Sequence, residues 1–574
     1  MIAKLKRAAK QHQLLVIMVL FAILSLCYVF PLAATKTIYL GDDLPYHVNR
    51  IQELTANLRQ GNWYPYLYSY HFHQVPFPLA IFYPQLTLLP FALFSLLSGN
   101  YVIGIYLGIA LYTFVAMVVM YYVTRKLGQT RLAASLSALV YAYSACRTYN
   151  AYPRFALGEF LGMTFIILSL YGLYAIFKGQ GGWKALAIGL GMTMLSHVLS
   201  TFLSIILLCA EFIVLALLKH DGWRKIWVRL VKAVLLFAGL TAIYVYPFVE
   251  QELAAKYSTP SPVDIGLSAI SLGELWDNSI SNNLTDGYLL NTNQGMGIGI
   301  ILVLVIIWGI VNYRRLSRSK QGILVAGITL TLMATELFPW KYLKGTPVAV
   351  IQYPTRLLPF ATALLALLSG PALLEMSQRL TAKWHWALSA RLVLILFAIL
   401  GPWLGSLGTY VEHMQTQRNY LATNSFHNGK EYVGNSTKND NWYYYLDQYQ
   451  PGAVKSSFKV IFHHQARIGG TRVTLKKITP IANGMVYRDT RLQNKRDVTL
   501  PVASYKNLQV FQNGKQLATS SVRGLIHVQQ TGRGTIVVRY VPSIGDRVAM
   551  IVSLLTGLGL ICEGALIGKR RLSR

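Results

Sequence analysis

Runs of about twenty apolar residues recur along most of the chain, and a helix of that length crosses the hydrocarbon core of a bilayer. The first covers residues 14–34, and later ones fall at 102–123, 132–148, 159–177, 226–248, 296–312, 323–340, 357–374, 392–410 and 548–567. Residues 184–218 are too long for one ordinary crossing and split at Ser196-His197 into two spans. The pattern therefore predicts a polytopic, mainly α membrane protein with about twelve transmembrane helices. Residues 79–97 are also apolar, but Pro84 and Pro90 interrupt them and would break a regular span. They read as a re-entrant or interfacial helix of the first outer loop.

From residue 412 to about 544 the apolar runs stop and period-two alternation takes over. Arg472-Val473-Thr474-Leu475 and residues 535–540 have the alternation of half-buried strands, and Asn513-Gly514 between two such stretches is a hairpin signal. The expected organisation is a transmembrane domain over 1–411, with outer loops at 35–101 and 249–295. A β-rich domain outside the membrane follows over 412–545, then a last span and basic tail over 546–574. No internal repeat is visible.

Charge orients this map. Lys4, Lys6, Arg7 and Lys10 precede the first span and predict a cytoplasmic N-terminus. With 79–97 excluded from the count, Arg125 and Lys126, Lys178 and Lys184, Arg314 and Arg315, and Lys569 to Arg571 all fall on the same side. Counting that stretch as a span would put Arg125, Lys126 and Arg131 outside and invert every later loop. The expectation is a multi-pass plasma-membrane protein with both termini cytoplasmic. The net charge of +31 then reports topology and anionic lipid, with no nucleic-acid partner implied. Cys27, Cys146, Cys209 and Cys562 are scattered, with no metal spacing and no disulfide framework.

Under this topology the polar groups that topology does not explain collect on the outer face. Asp42 and Asp43 open the stretch 41–65, and His47 and Arg50 follow Asp43 at one and two helical turns. Ile51, Leu54 and Leu58 occupy the other face, so an amphipathic helix lying on the membrane surface is predicted. The plainer alternative is Asp42 as N-cap, with Asp43 favoured by the helix dipole. Between two later spans, Arg147 and Arg154 stand outside against the positive-inside trend and Glu159 opens an apolar helix, with Arg154 and Glu159 either a structural pair or part of a site. His197 sits in a tight turn, and Gln352, Tyr353 and Arg356 open another helix on the same side. Three arginines beside three carboxylates suit an anionic substrate, since a guanidinium binds phosphate bidentately. There is no phosphate-cradling glycine loop, nucleophile elbow or zinc-binding HExxH helix.

Gly41-Asp42-Asp43 through His47 and Arg50, Gly61 to Pro65, Arg154 to Glu159 and Gln352 to Arg356, in this order and placement, resemble the GT-C superfamily of integral-membrane glycosyltransferases. That superfamily includes oligosaccharyltransferase catalytic subunits, protein O-mannosyltransferases and the lipid A aminoarabinose transferase. The resemblance covers most of residues 1–410. It implies that the first-loop acid is Asp43 or Asp42 and the second-loop acid Glu159, where some members carry an Asp-containing pair. Because of that difference the metal requirement stays open, the divalent cation implied being Mg or Mn. It further implies a polyprenyl-phosphate sugar donor, Asp43 as the base that takes the acceptor proton, and inversion at the anomeric carbon. Arg356, Arg154 or Arg50 would hold the leaving phosphate, with His47, His197, Gln352 and Tyr353 as further substrate-binding candidates. The basic β-rich domain would take an anionic cell-envelope glycan as acceptor. Two rivals are a transporter or flippase of lipid-linked sugars and a non-catalytic scaffold binding wall polymer. Transporters concentrate ionisable groups near the bilayer midplane, where this chain offers little beyond Glu211.

Overall fold

The computed structural model describes residues 12–219, 221–258, 263–284, 295–416, 426–428, 448–454 and 458–572. The lysine and arginine cluster before the first span lies outside the described residues. In chain order the helices are α1 Gln13–Ala33, α2 Leu44–Arg59, α3 Leu79–Phe82, α4 Leu89–Ser98, α5 Tyr101–Lys126, α6 Arg131–Ala142, α7 Ala145–Ala151, α8 Leu157–Phe177 and α9 Trp183–Met194. They continue with α10 Val198–Leu217, α11 Trp223–Glu252, α12 Leu272–Ser281, α13 Ile300–Val311, α14 Arg318–Met333, α15 Leu358–Leu380, α16 Leu388–Thr416, α17 Phe458–Phe462 and α18 Ile544–Leu572.

The chain is a mainly helical membrane protein with an antiparallel β-rich region near its C-terminus. Helices lie over the expected spans, but the stretch 132–148 is broken at Tyr143-Ser144 into α6 and α7, and 323–340 is an α-helix only as far as Met333. Eight of these helices, among the described residues, are long and apolar enough to cross a membrane. The other four, α6, α9, α13 and α14, run for 12, 12, 12 and 16 residues. The stretch over 184–218 breaks where expected: α9 ends at Met194 and α10 starts after His197. Residues 79–97 are broken as well, into α3, a short 3-10 turn at Leu86–Leu88 and α4.

The described chain divides into two compact units. The first comprises 1–47, 98–233 and 262–428. Within it α8 and α9 form a close antiparallel pair, in which Gly172 lies against the backbone of Leu186 and Gly189 against that of Ser169. Such small-residue contacts bring membrane helices together where the hydrophobic effect gives no drive. The second unit comprises 48–97, 234–261 and 429–574. There α11 and α18 are tied in the membrane by Ser553, whose hydroxyl donates to the Gly239 carbonyl at 2.8 Å and accepts from the Ile243 N–H at 2.9 Å.

Two five-stranded antiparallel sheets follow in the second unit, in the orders β2-β1-β5-β9-β8 and β3-β4-β10-β6-β7. The strands are β1 Gln465–Ile468, β2 Thr471–Thr474, β3 Ile478–Ile481, β4 Gly484–Tyr487, β5 Arg496–Ala503, β6 Leu508–Gln512, β7 Lys515–Leu517, β8 Thr519–Val522, β9 Leu525–Gln530 and β10 Ile536–Tyr540. The hairpin expected at Asn513-Gly514 joins β6 to β7, and both turn residues have positive φ, 51° and 78°, as a type I′ turn requires. Asn483, in the β3–β4 turn, accepts from the N–H groups of Tyr66 and Leu67 at 2.7 and 3.1 Å and so fastens the first long loop to the sheet.

One expectation is corrected. Helix α2 forms over the predicted stretch, but its polar positions do not face solvent. His47, Asn49, Arg50, Gln52, Glu53, Thr55 and Asn57 are as buried as Val48, Ile51 and Leu54. The burial is sustained by hydrogen bonding. The Glu53 carboxylate accepts from the backbone N–H groups of Ser69 (2.8 Å), Tyr70 (3.0 Å) and His71 (2.7 Å) and from Asn57 Nδ2 (3.1 Å). The three backbone donors belong to a loop that periodicity cannot see, and so the helix is buried where its pattern predicts a surface one.

Candidate active site

The site is assembled in the first unit from three segments far apart in sequence. The first is the turn between α1 and α2. The Asp43 backbone N–H donates to the Arg154 carbonyl at 3.0 Å, and the Asp43 carbonyl accepts from the His47 N–H at 3.0 Å to start α2. Asp43 thus stands at the helix N-terminus, where the unpaired N–H groups favour an anion. Gly41 makes this approach possible. A Cβ there would lie 2.8 Å from both the Pro153 carbonyl oxygen and Phe155 Cβ. The second segment, after α7, runs through Phe155 in a left-handed conformation (φ 50°) into α8.

Glu159, in the first turn of α8 and only 4% exposed, holds two guanidinium groups. Its Oε2 accepts from Arg154 Nη1 at 2.6 Å and its Oε1 from Arg356 Nε at 2.8 Å. Arg154 Nη1 also donates to Asn150 Oδ1 at 3.0 Å. Arg356, from the 3-10 turn Pro354–Leu357 ahead of α15, is fixed on its other side. Its Nη1 donates to the Ile351 carbonyl at 2.7 Å and to Gln352 Oε1 at 2.8 Å, and its Cζ lies 5.2 Å from the centre of the Tyr353 ring. Gln352 is held at φ 63°, a strained value for a residue with a side chain, while its carbonyl accepts from Ser268 Oγ at 2.5 Å. Such strain persists only where the surroundings impose it, and it gathers at functional sites.

The aspartates feel this network. Burial pushes the Asp42 carboxyl up to about 7, with the neighbouring Asp43 adding and Arg154 opposing. Burial also raises Asp43 above the usual carboxylate range, against the pull of Arg154, with Glu159 adding and Arg356 opposing. Asp43 is therefore within electrostatic reach of all three members of the arginine–glutamate–arginine network. A buried carboxylate with a raised pKa, beside guanidinium groups, has the chemistry for proton abstraction next to an anionic leaving group.

Solved glycosyltransferases superpose on parts of the chain with low TM-scores. The arabinofuranosyltransferase AftD from mycobacteria superposes with a TM-score of 0.42 at 14% identity, over 68% of this chain and 26% of that one. ArnT from Cupriavidus metallidurans, solved bound to undecaprenyl phosphate, superposes with a TM-score of 0.39 at 14% identity, over 70% of this chain and 73% of that one. The archaeal oligosaccharyltransferase AglB from Archaeoglobus fulgidus, solved with an inhibitory peptide and a dolichol-phosphate, gives a TM-score of 0.35 at 11% identity over 69% and 55%. The chain thus spans about a quarter of the length of AftD. No protein-family model matches the sequence, and no curated protein matches it in sequence.

Of the residues expected in a GT-C-like site, Asp42, Asp43, Arg154, Glu159, Gln352, Tyr353 and Arg356 are gathered here. His197 also has electrostatic reach to Glu159, while its Nδ1 caps α10 by accepting from the Ser200 N–H at 3.2 Å. Gly162, one turn beyond Glu159, packs on Ser200, which brings the two helix starts together. His47 is buried in the first turn of α2. Arg50 lies further along the same helix α2, where its guanidinium donates to the Pro84 carbonyl at 2.5 Å and lies 4.2 Å from the centre of the Tyr83 ring. Asn150 was missed, because an asparagine in an aromatic stretch carries no spacing signal.

The donor set does not fit a divalent cation. Both Glu159 oxygens accept from guanidinium groups, which would repel Mg or Mn. Among the described residues no three His, Cys, Asp or Glu side chains form a group able to hold a metal.

Proposed function

We propose that the chain is a membrane glycosyltransferase that moves a sugar from a polyprenyl-phosphate donor to an extracytoplasmic hydroxyl acceptor. The observation that carries this reading is the junction of the Asp42-Asp43 turn with the Arg154–Glu159–Arg356 network through the Asp43 N–H to Arg154 carbonyl bond. The acceptor oxygen attacks the anomeric carbon while the Asp43 carboxylate takes its proton. The bond from that carbon to the phosphate oxygen breaks, its electron pair stays on the phosphate, and a single displacement inverts the centre. Arg154 and Arg356 face the charge that builds on the leaving phosphate, and Glu159 keeps both guanidiniums aimed. General-base help of this kind is worth on the order of a hundred- to ten-thousand-fold.

The same reading places the site on the extracytoplasmic side and both termini in the cytoplasm, following the basic clusters. It divides the chain at 411 and 545, with the β-rich domain outside. That domain suits an anionic envelope glycan as acceptor: over 458–543 its acids are Asp489 and Asp497, and Asp489 is already paired with Arg491 at 2.5 Å. A transporter is disfavoured because the charged network stands at the first turns of α8 and α15 rather than mid-span. The test is sugar transfer from a synthetic polyprenyl-phosphate donor by the purified full chain. Asp43→Asn and Glu159→Gln should both be impaired, and unimpaired transfer by both would remove these residues from the reaction.

A further inference from the structure

Helix α8 carries a second polar cluster at its other end. Tyr174 follows Glu159 by fifteen residues, which is about 22 Å along a helix and places it near the opposite membrane boundary. Its hydroxyl meets Ser319 Oγ at 3.0 Å, joining α8 to the start of α14. Beside that contact lies a cavity of about 300 Å³, entirely within the first unit. Lys126, from the end of α5, and Lys320, from the start of α14, line it together with Ser317 and Ser319. Leu367 and Leu368 of α15 supply an apolar wall, and among the described residues no acidic side chain lines it.

The two lysines and two serines of this lining suit a phosphate, and the leucine wall suits a hydrocarbon chain attached to it. Basic pockets between membrane helices take anionic headgroups for these reasons. We propose that this cavity binds the phosphate of an anionic membrane lipid, with one lipid chain lying along Leu367 and Leu368. The proposal is independent of the transfer reaction: it concerns the other membrane face and none of the residues placed in the active site. A bound lipid would clamp α5, α8, α14 and α15, two of which carry Glu159 and lead from Arg356.

The test is retention of phosphatidylglycerol by the full-length chain, titrated in detergent and read by native mass spectrometry, with phosphatidylcholine and inorganic phosphate as comparisons. The wild type should bind phosphatidylglycerol in preference to phosphatidylcholine. Lys126→Gln/Lys320→Gln should weaken it by about 25-fold, taking about fivefold for each lysine near a lipid phosphate. Lys126→Arg/Lys320→Arg should retain it, as should Lys383→Gln, which removes one positive charge outside the cavity and so controls for each single variant. Equal affinity in the wild type and the double glutamine variant would overturn the proposal. Displacement of the lipid by equimolar inorganic phosphate would also overturn it, by showing a free-anion site. Should the double glutamine variant fail to fold, the two single variants decide, because both lysines are at the surface edge of the cavity.

Discussion

Glu159→Gln is the perturbation that asks most of the network. Arg154 and Arg356 share this one carboxylate, at 2.6 and 2.8 Å, and the carboxylate is 4% exposed. Removing one partner of a buried ion pair costs about 3–5 kcal/mol, because the remaining charge stays desolvated. Glutamine retains the shape and one carbonyl acceptor, so one guanidinium keeps a hydrogen bond worth about 1 kcal/mol. Arg154 also keeps Asn150, and Arg356 keeps the Ile351 carbonyl and Gln352. A net loss of about 2–4 kcal/mol follows. Both arginines then lose their common aim, and a misplacement of about 1 Å costs about a hundredfold in rate. Thermal unfolding in detergent and sugar transfer from a polyprenyl-phosphate donor measure the two effects on one preparation. Wild-type stability together with wild-type transfer would refute the claim that Glu159 holds the arginines in place.

Three further outcomes are expected. Asp42 ionises at about 7 in the folded chain against 3.8 ordinarily, so the folded state binds the extra proton between those values. Its contribution to stability therefore falls as pH rises from about 4 to about 7, and Asp42→Asn should flatten the thermal midpoint over that window; an unchanged slope would show that the proton is bound elsewhere. Gly41→Ala puts a methyl 2.8 Å from the Pro153 oxygen and should cost about 1–3 kcal/mol while displacing Asp43, so transfer should fall; a fully active, stable variant would mean that the turn yields freely. Glu53→Gln turns an amide towards the N–H groups of residues 69–71 and should cost about 2–4 kcal/mol, read as faster proteolysis of that loop; unchanged cleavage would refute its role as the loop's anchor.

What could be read from the chain alone divides along physical lines. Spans and strands depend on local periodicity, so the break at His197, the broken stretch over 79–97 and the Asn513-Gly514 hairpin were legible. The Arg154–Glu159 pair was legible because two charges five residues apart beside a membrane helix need each other. That Arg356 completes the pair was visible only as a shared side of the membrane, since residues 159 and 356 are joined by packing of α8 and α15 rather than by spacing. The burial of α2 and the contact of Arg50 with the Pro84 carbonyl were illegible, because both depend on where a loop returns its backbone. Net charge underlies the proposed orientation, but it pointed to no particular residue in the cavity at Lys126 and Lys320.

The central claim is that Asp43 takes the acceptor proton beside the Arg154–Glu159–Arg356 network. The most direct measurement is the single-turnover rate of sugar transfer from a polyprenyl-phosphate donor by wild type and Asp43→Asn, in preparations with equal thermal midpoints. The account predicts a fall of about a hundredfold or more in the asparagine variant, with partial recovery in Asp43→Glu. Equal rates for wild type and Asp43→Asn would contradict it.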